Sequence, residues 1–179
     1  MSLLVIQLDS LKSGSHRTKG NLRPAALDID EYSAFSFSGP LELDVRISST
    51  DQLTFYASGT LSYRAQGECR KCLKFIEVPR QGAVRGVFAL PEALQKLSPD
   101  NQTNESDDIW ELDPGQKSLD LSGLVRECLF LDYPMYIQCS EDCRGLCPNC
   151  GADLNLKDCG CRSNAVDVRW AKLNELKKK

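Results

Sequence analysis

The stretch from Cys139 to Cys161, CSEDCRGLCPNCGADLNLKDCGC, constrains this chain more than any other. It holds six of the nine cysteines and has neither a helical nor a strand period. Gly, Pro, Asn and Asp separate the thiols, so the segment is built from turns that bring sulfurs together, which is metal chemistry. Cys147-Pro-Asn-Cys150-Gly reads as a zinc knuckle. The backbone N–H groups of such a tight turn can point at both sulfurs and stabilise the thiolates that zinc requires. The turn supplies two ligands of a tetrahedron, and the nearest downstream pair is Cys159-Gly-Cys161, so C-x2-C-x8-C-x-C closes one site locally.

Cys69-Arg-Lys-Cys72 is a second CxxC, far upstream at what reads as a hairpin turn, and Cys139 and Cys143 form an unspent pair beside the knuckle. We expect Cys69, Cys72, Cys139 and Cys143 to form a second four-cysteine zinc site, tying the middle of the chain to its C-terminal part. A single site drawn from a different mix of these cysteines is the alternative. Cys128 is left over, in a helical apolar pattern that suits a small buried core residue. Disulfides would need an oxidising compartment, and Met1 to Leu8 has no basic flank and no small-residue cleavage site. A redox-active CxxC usually opens a helix, and neither CxxC here is followed by a helical period. Structural zinc contributes on the order of 10 kcal/mol to small modules, so its loss should melt the knuckle before the rest.

Apolar content of 41% and charged content of 26% are ordinary for a globular protein, and no apolar run is long enough to read as a membrane span. The expected location is the cytoplasm. A formal charge of −3, made more negative by tetrathiolate zinc, argues against nonspecific nucleic-acid binding by the whole chain. Charge is unevenly placed. Lys12 to Arg23 and Arg64 to Arg85 are basic, Asp100 to Asp113 is acidic, and the chain finishes Lys177-Lys178-Lys179.

Leu3 to Leu8 reads as a short strand, and the following KSGSHRTKGNLRP as a mobile basic loop with His16 at its surface. Leu41, Leu43, Val45 and Ile47 alternate with polar residues as in a half-buried strand. The pattern recurs over Leu53 to Ala57 and Thr60 to Gly67, entering Cys69. Phe75 to Val78 and Val84 to Leu90 form the outgoing strand, interrupted near Pro79 and Gly82. Residues 91–115 read as a flexible acidic loop, centred on LSPDNQTNESDD, with a short edge strand at Ile109 to Leu112 after that polar run. Asp120 or Ser122 caps a helix that ends before Pro134 and covers the sheet, and Ala165 to Lys178 reads as a final basic helix. The expected architecture is α+β: an antiparallel meander covered by a helix, in a domain over 1–137, with a zinc-knuckle segment over 138–179.

ECRKCL at 68–73, LDLSGLVRECLFLDYPM at 119–135, CSEDCRGLCPNCGADLN at 139–155, then CGC and VRWAKLNEL together closely resemble the YceD-like family, the large ribosomal RNA subunit accumulation proteins. The resemblance covers nearly the whole chain. It implies a bacterial or plastid-type factor needed for normal accumulation of large-subunit ribosomal RNA, and hence ribosome biogenesis. Some members of the family keep the CxxC hairpin but lack the knuckle, which implies separable sites. No catalytic residue is carried over, and no molecular mechanism is implied.

Three functions follow. A non-catalytic factor would contact RNA through Arg70, Lys71, Lys74 and Arg144 around the first cysteine group, unless these cations merely offset the negative charge of the metal site. Such binding should weaken with salt and with charge reversal. Alternatively, a protein-binding adaptor would recruit a ribosomal protein or processing factor, its acidic loop meeting a basic partner. An enzyme fits least: all-cysteine zinc is a closed structural site, no phosphate-binding GxxxxGK[ST] loop occurs, and no Ser/His/Asp arrangement can be argued with His16 alone in its loop, which leaves a paired-carboxylate site as the one catalytic arrangement still open. No small-molecule substrate is expected.

Overall fold

The computed structural model describes residues 3–11, 14–29, 35–49, 51–97 and 109–161. The chain forms two compact units: Met1–Gly67 with Glu77–Met135, and Glu68–Ile76 with Tyr136–Lys179. The residues around Cys69 and Cys72 therefore group with the C-terminal cysteines.

The first unit rests on the alternation seen at Leu41 to Ile47. In β3 (Leu41–Ser49) those four side chains are buried while their neighbours face outward, as period-two patterning requires. β2 (Ser15–Leu22) pairs antiparallel with β3, and β3 with β4 (Thr54–Glu68). The sheet runs β2-β3-β4-β5-β6, with β5 at Phe75–Ala89 and β6 at Ile109–Glu111. A separate two-stranded sheet joins β1 (Val5–Gln7) to β7 (Ser118–Asp120). The α+β architecture is as expected. Among the described residues no helix is long and apolar enough to cross a membrane.

The segment expected to be a mobile loop around His16 is an edge strand. Residues at positions 16, 18, 20 and 22 turn inward, but they are His, Thr, Gly and Leu, so β2 carries no apolar alternation to reveal it. Backbone pairing to β3, Thr18 opposite Val45, holds it in place. β5 is not interrupted. Pro79 lacks an N–H, and β6 pairs only with Val87 to Ala89, so the proline does not break a ladder on that side. β6 joins parallel to β5, which departs from a purely antiparallel meander. The start of the expected 91–115 loop is a helix, α1 (Pro91–Leu97), with Pro in its first turn and Ala93 buried. The acidic residues at 100–108 and the expected C-terminal helix lie outside the described residues.

The expected helix is α2 (Ser122–Asp132), but its N-cap is Leu121, with no side-chain cap bond, and neither Asp120 nor Ser122 caps it; Asp120, just before the helix, accepts the Ser122 N–H on its Oδ1 at 2.8 Å. Leu124, Val125 and Leu129 are buried on its inner face. Close approach depends on two glycines: a Cβ on Gly86 would lie 2.6 Å from Leu124, and one on Gly123 would lie 2.7 Å from the Trp110 ring. At the far end of α2, Asp132 accepts the Tyr63 hydroxyl at 2.7 Å and an Arg80 N–H at 3.2 Å. Burial, with that hydrogen bond, pushes the Tyr63 phenol well above its ordinary range. The β3–β4 turn is fixed by Asp51, whose carboxylate accepts the Leu53 and Thr54 backbone N–H groups at 3.1 and 2.7 Å. Those donors, Thr54 foremost, hold its carboxyl below the usual range.

Candidate metal centre

In the second unit, the loop joining β4 to β5 presents Cys69 and Cys72. The Cys69 N–H donates to the Lys74 carbonyl at 2.9 Å and the Leu73 N–H returns to the Cys69 carbonyl at 2.9 Å. Closing so short a turn places Leu73 in left-handed backbone, φ +58°. On the other side, Ile137 forms a parallel bridge to Cys69, and the Arg70 N–H donates to the Ile137 carbonyl at 2.9 Å. The Gln138 side-chain amide donates to the carbonyls of Ser140 and Glu141, shaping the turn from Cys139 to Cys143. These elements bring the sulfurs of Cys69, Cys72, Cys139 and Cys143 within 4.8 Å of one another.

Cys147, Cys150, Cys159 and Cys161 form the second group, again within 4.8 Å. Here the Cys147 N–H donates to the Ala152 carbonyl at 2.8 Å and the Gly151 N–H to the Cys147 carbonyl at 2.9 Å. Gly151 and Gly160 have φ of +72° and +68°, values that favour glycine at both turns. Leu146 and Asp153 form an antiparallel bridge that completes the knuckle.

The sulfur spacing tests whether a metal fits. A tetrahedron with metal–sulfur bonds of about 2.3 Å has edges of about 3.8 Å. Cys69 and Cys143 lie 3.9 Å apart and Cys72 and Cys139 3.7 Å apart. Disulfide sulfurs stand at about 2.05 Å, so these contacts are not covalent, and all nine thiols are free. The first group has the spacing of a metal tetrahedron, and the sulfurs of both groups lie close enough together to hold a metal ion.

Backbone dipoles prepare the thiolates. The N–H of Cys72, followed by that of Cys139, lowers the Cys69 thiol to about 6. In the knuckle the N–H groups of Cys150 and Asn149 lower Cys147 to about 6. Their neighbours are driven the other way: Cys143 raises Cys139, and Cys150 raises Cys161, each to about 12. Four crowded sulfurs share negative charge poorly without a cation, which is the electrostatic demand a dication meets.

The two groups share one scaffold. Gly145, φ +75°, brings its backbone against Lys71, whose carbonyl accepts the Leu146 N–H at 3.0 Å. Asn155 accepts the Arg144 N–H at 2.8 Å and donates to Cys143 Sγ at 3.5 Å, linking the knuckle to a sulfur of the other group. Sequence reasoning did not single out Asn155; its only trace was its place in GADLN.

Cys128 sits on α2 in the first unit, outside both groups, and is half-buried rather than the buried core residue its apolar setting suggested. Among the four cations singled out, Arg70 lies over the Tyr136 ring, 3.7 Å from its centroid, and donates to Gln138. Lys71 and Lys74 are exposed, with no ion pair among the described residues. Arg144 is ion-paired with Asp158. The sequence reading also missed the apolar exposure here: Leu73, Phe75 and Tyr136 are 58%, 61% and 57% exposed.

Comparison with known proteins gives a consistent family. An uncharacterized protein of Mycobacterium tuberculosis is 31% identical over 153 residues, 86% of this chain and 69% of that protein. One from Mycobacterium leprae is 27% identical over 146 residues, 82% of this chain and 63% of its own. The chloroplastic large ribosomal RNA subunit accumulation protein YCED homolog 1 of Arabidopsis thaliana is 30% identical over 71 residues, 40% of this chain and 22% of the plant protein. No solved structure matches. The family model described as large ribosomal RNA subunit accumulation protein YceD matches residues 57–177, which include all eight clustered cysteines, and the chain belongs to that family.

Proposed function

We propose that this protein is a non-catalytic, zinc-structured ribosome-biogenesis factor of the cytoplasm that supports accumulation of large-subunit ribosomal RNA by contacting RNA. The observation that carries the reading is the pair of four-sulfur groups, each with its sulfurs within 4.8 Å of one another, within a YceD chain. Zinc suits them because it takes four thiolates without redox chemistry and with no preferred distortion. When bound, it would neutralise and cross-link the sulfurs, and four cysteines leave no open position for a water nucleophile, so the role is structural. Cys69, Cys72, Cys139 and Cys143 would hold one ion and Cys147, Cys150, Cys159 and Cys161 the other. The first ion would fix the loop that carries Arg70, Lys71 and Lys74, whose charges suit a phosphate backbone. Arg144 would contribute through the same scaffold, in exchange with Asp158.

Elemental analysis of the purified parent, Cys69→Ser and Cys150→Ser tests the metal part. Two zincs falling to one in each variant supports it; one zinc in the parent, or iron in place of zinc, overturns it. Cross-linking to RNA in cells tests the rest. Enrichment of large-subunit ribosomal RNA that is lost on reversing Arg70, Lys71 and Lys74 supports direct contact. Ribosomal proteins captured without RNA would favour an adaptor instead.

A further inference from the structure

The loop between β4 and β5 exposes more aromatic surface than a metal turn needs. Phe75 opens β5 and Tyr136 precedes Ile137, the residue bridged to Cys69. The Cys69 segment thus lies between them, with Lys74 hydrogen-bonded on one side and Ile137 on the other. Two strand spacings put the Phe75 and Tyr136 backbones about 10 Å apart. Both rings are more than half exposed. Phe75 has no ring partner among the described residues, and the Arg70 guanidinium lies over the Tyr136 ring, 3.7 Å from its centroid, extending that platform.

Charge points to the occupant. Residues 68–76 carry Arg70, Lys71 and Lys74 against the single acid Glu68. A dication held by four thiolates offsets the remaining two positive charges. Attraction to phosphates alone would therefore be weak here, and a polyanion held at this surface must gain from something else. Flat rings interleaved with long cations supply it: bases stack on the rings while the cations reach the flanking phosphates.

We infer that the β4–β5 loop and Tyr136 form a stacking surface for unpaired bases, with Phe75 and the Tyr136–Arg70 pair as its two platforms and Lys71 and Lys74 as its phosphate contacts. The inference rests on the RNA-contact reading and narrows it to single-stranded RNA. Duplex RNA keeps its bases stacked on one another and offers these rings nothing.

Fluorescence anisotropy would use a labelled, short single-stranded oligoribonucleotide of mixed sequence and the same strand annealed to its complement. The parent binds the single strand at least tenfold more tightly. Phe75→Ala and Tyr136→Ala each weaken that binding about 5- to 100-fold with an unchanged salt slope, whereas joint Lys71→Glu and Lys74→Glu reversal flattens the slope. Phe75→Leu and Tyr136→Leu keep apolar area without a ring and should fail like the alanines. Equal affinity for duplex, or leucine variants that bind like the parent, overturns the stacking surface. Loss on charge reversal alone, with ring removal silent, also overturns it but leaves the RNA reading standing. If the parent binds neither RNA, both fall. Metal content equal to the parent's verifies that each variant keeps its cysteine groups.

Discussion

Replacing Gly145 with alanine should loosen the cysteine-rich unit far more than the same change at Gly151. Both residues occupy left-handed backbone, φ +75° and +72°, so either alanine costs about 1 kcal/mol in conformation alone. Their surroundings differ. A Cβ on Gly151 would meet nothing within 4 Å, but on Gly145 it would lie 2.8 Å from the Lys71 carbonyl oxygen and 3.3 Å from the Lys71 Cβ. That oxygen already accepts the Leu146 N–H, so moving it strains the link between the two cysteine groups. Overpacking of this kind costs about 1–3 kcal/mol. The totals are about 2–4 kcal/mol at Gly145 and about 1 kcal/mol at Gly151. If metal binding and folding of this unit are one process, these become losses in metal affinity of about 30- to 900-fold and about fivefold. Competition of each variant against a chromophoric chelator would measure them. Equal losses in the two variants, or a Gly145→Ala protein that holds metal like the parent, would refute the contact argument.

Four further outcomes follow from the first unit. Leu124→Ala removes a buried side chain from the α2–β5 contact and should cost about 2–5 kcal/mol in urea unfolding. Tyr63→Phe deletes the donor to Asp132, which keeps Arg80, and should cost about 0.5–1.5 kcal/mol by the same measurement. Because the folded phenol titrates above its unfolded value, the parent's contribution from this group is full below about pH 10 and is lost as pH rises further. Tyr63→Phe should therefore flatten the alkaline fall in stability. Asp51 has the opposite sign: its folded carboxyl titrates below its unfolded value, so its contribution is present above about pH 4 and disappears as pH falls through the folded value. The difference in urea midpoint between pH 6 and pH 3 should shrink in Asp51→Asn.

What could be read from the residues was whatever left a local period or a local turn. Leu41, Leu43, Val45 and Ile47 spelled out β3, and CPNCG spelled out the knuckle, because in each the chemistry lies within a few positions. β2 was illegible because an edge strand needs only backbone pairing, and its inward residues include His16 and Gly20. α1 was obscured by the polar run that follows it, although Pro91 and Glu92 are ordinary helix openers. The β1–β7 pair joins residues more than a hundred positions apart, and three-residue strands carry too little pattern to announce a partner. Nothing in the sequence around Phe75 or Tyr136 marks either ring as exposed; that emerges only from the structure, where Ile137 pairs with Cys69.

The order of the cysteines along the chain also sets a schedule. Cys72 and Cys139 are 67 positions apart, so a ribosome extending at about 5–20 residues per second leaves the first CxxC waiting about 3–13 s for its partners. During that interval the β4–β5 loop is an open dithiol, able to capture metal only loosely and vulnerable to oxidants. Cys147 and Cys150, by contrast, wait only for Cys159 and Cys161, a few residues away. The group that closes the loop containing β5, β6 and α2 can be completed only after all five strands of the sheet have been made.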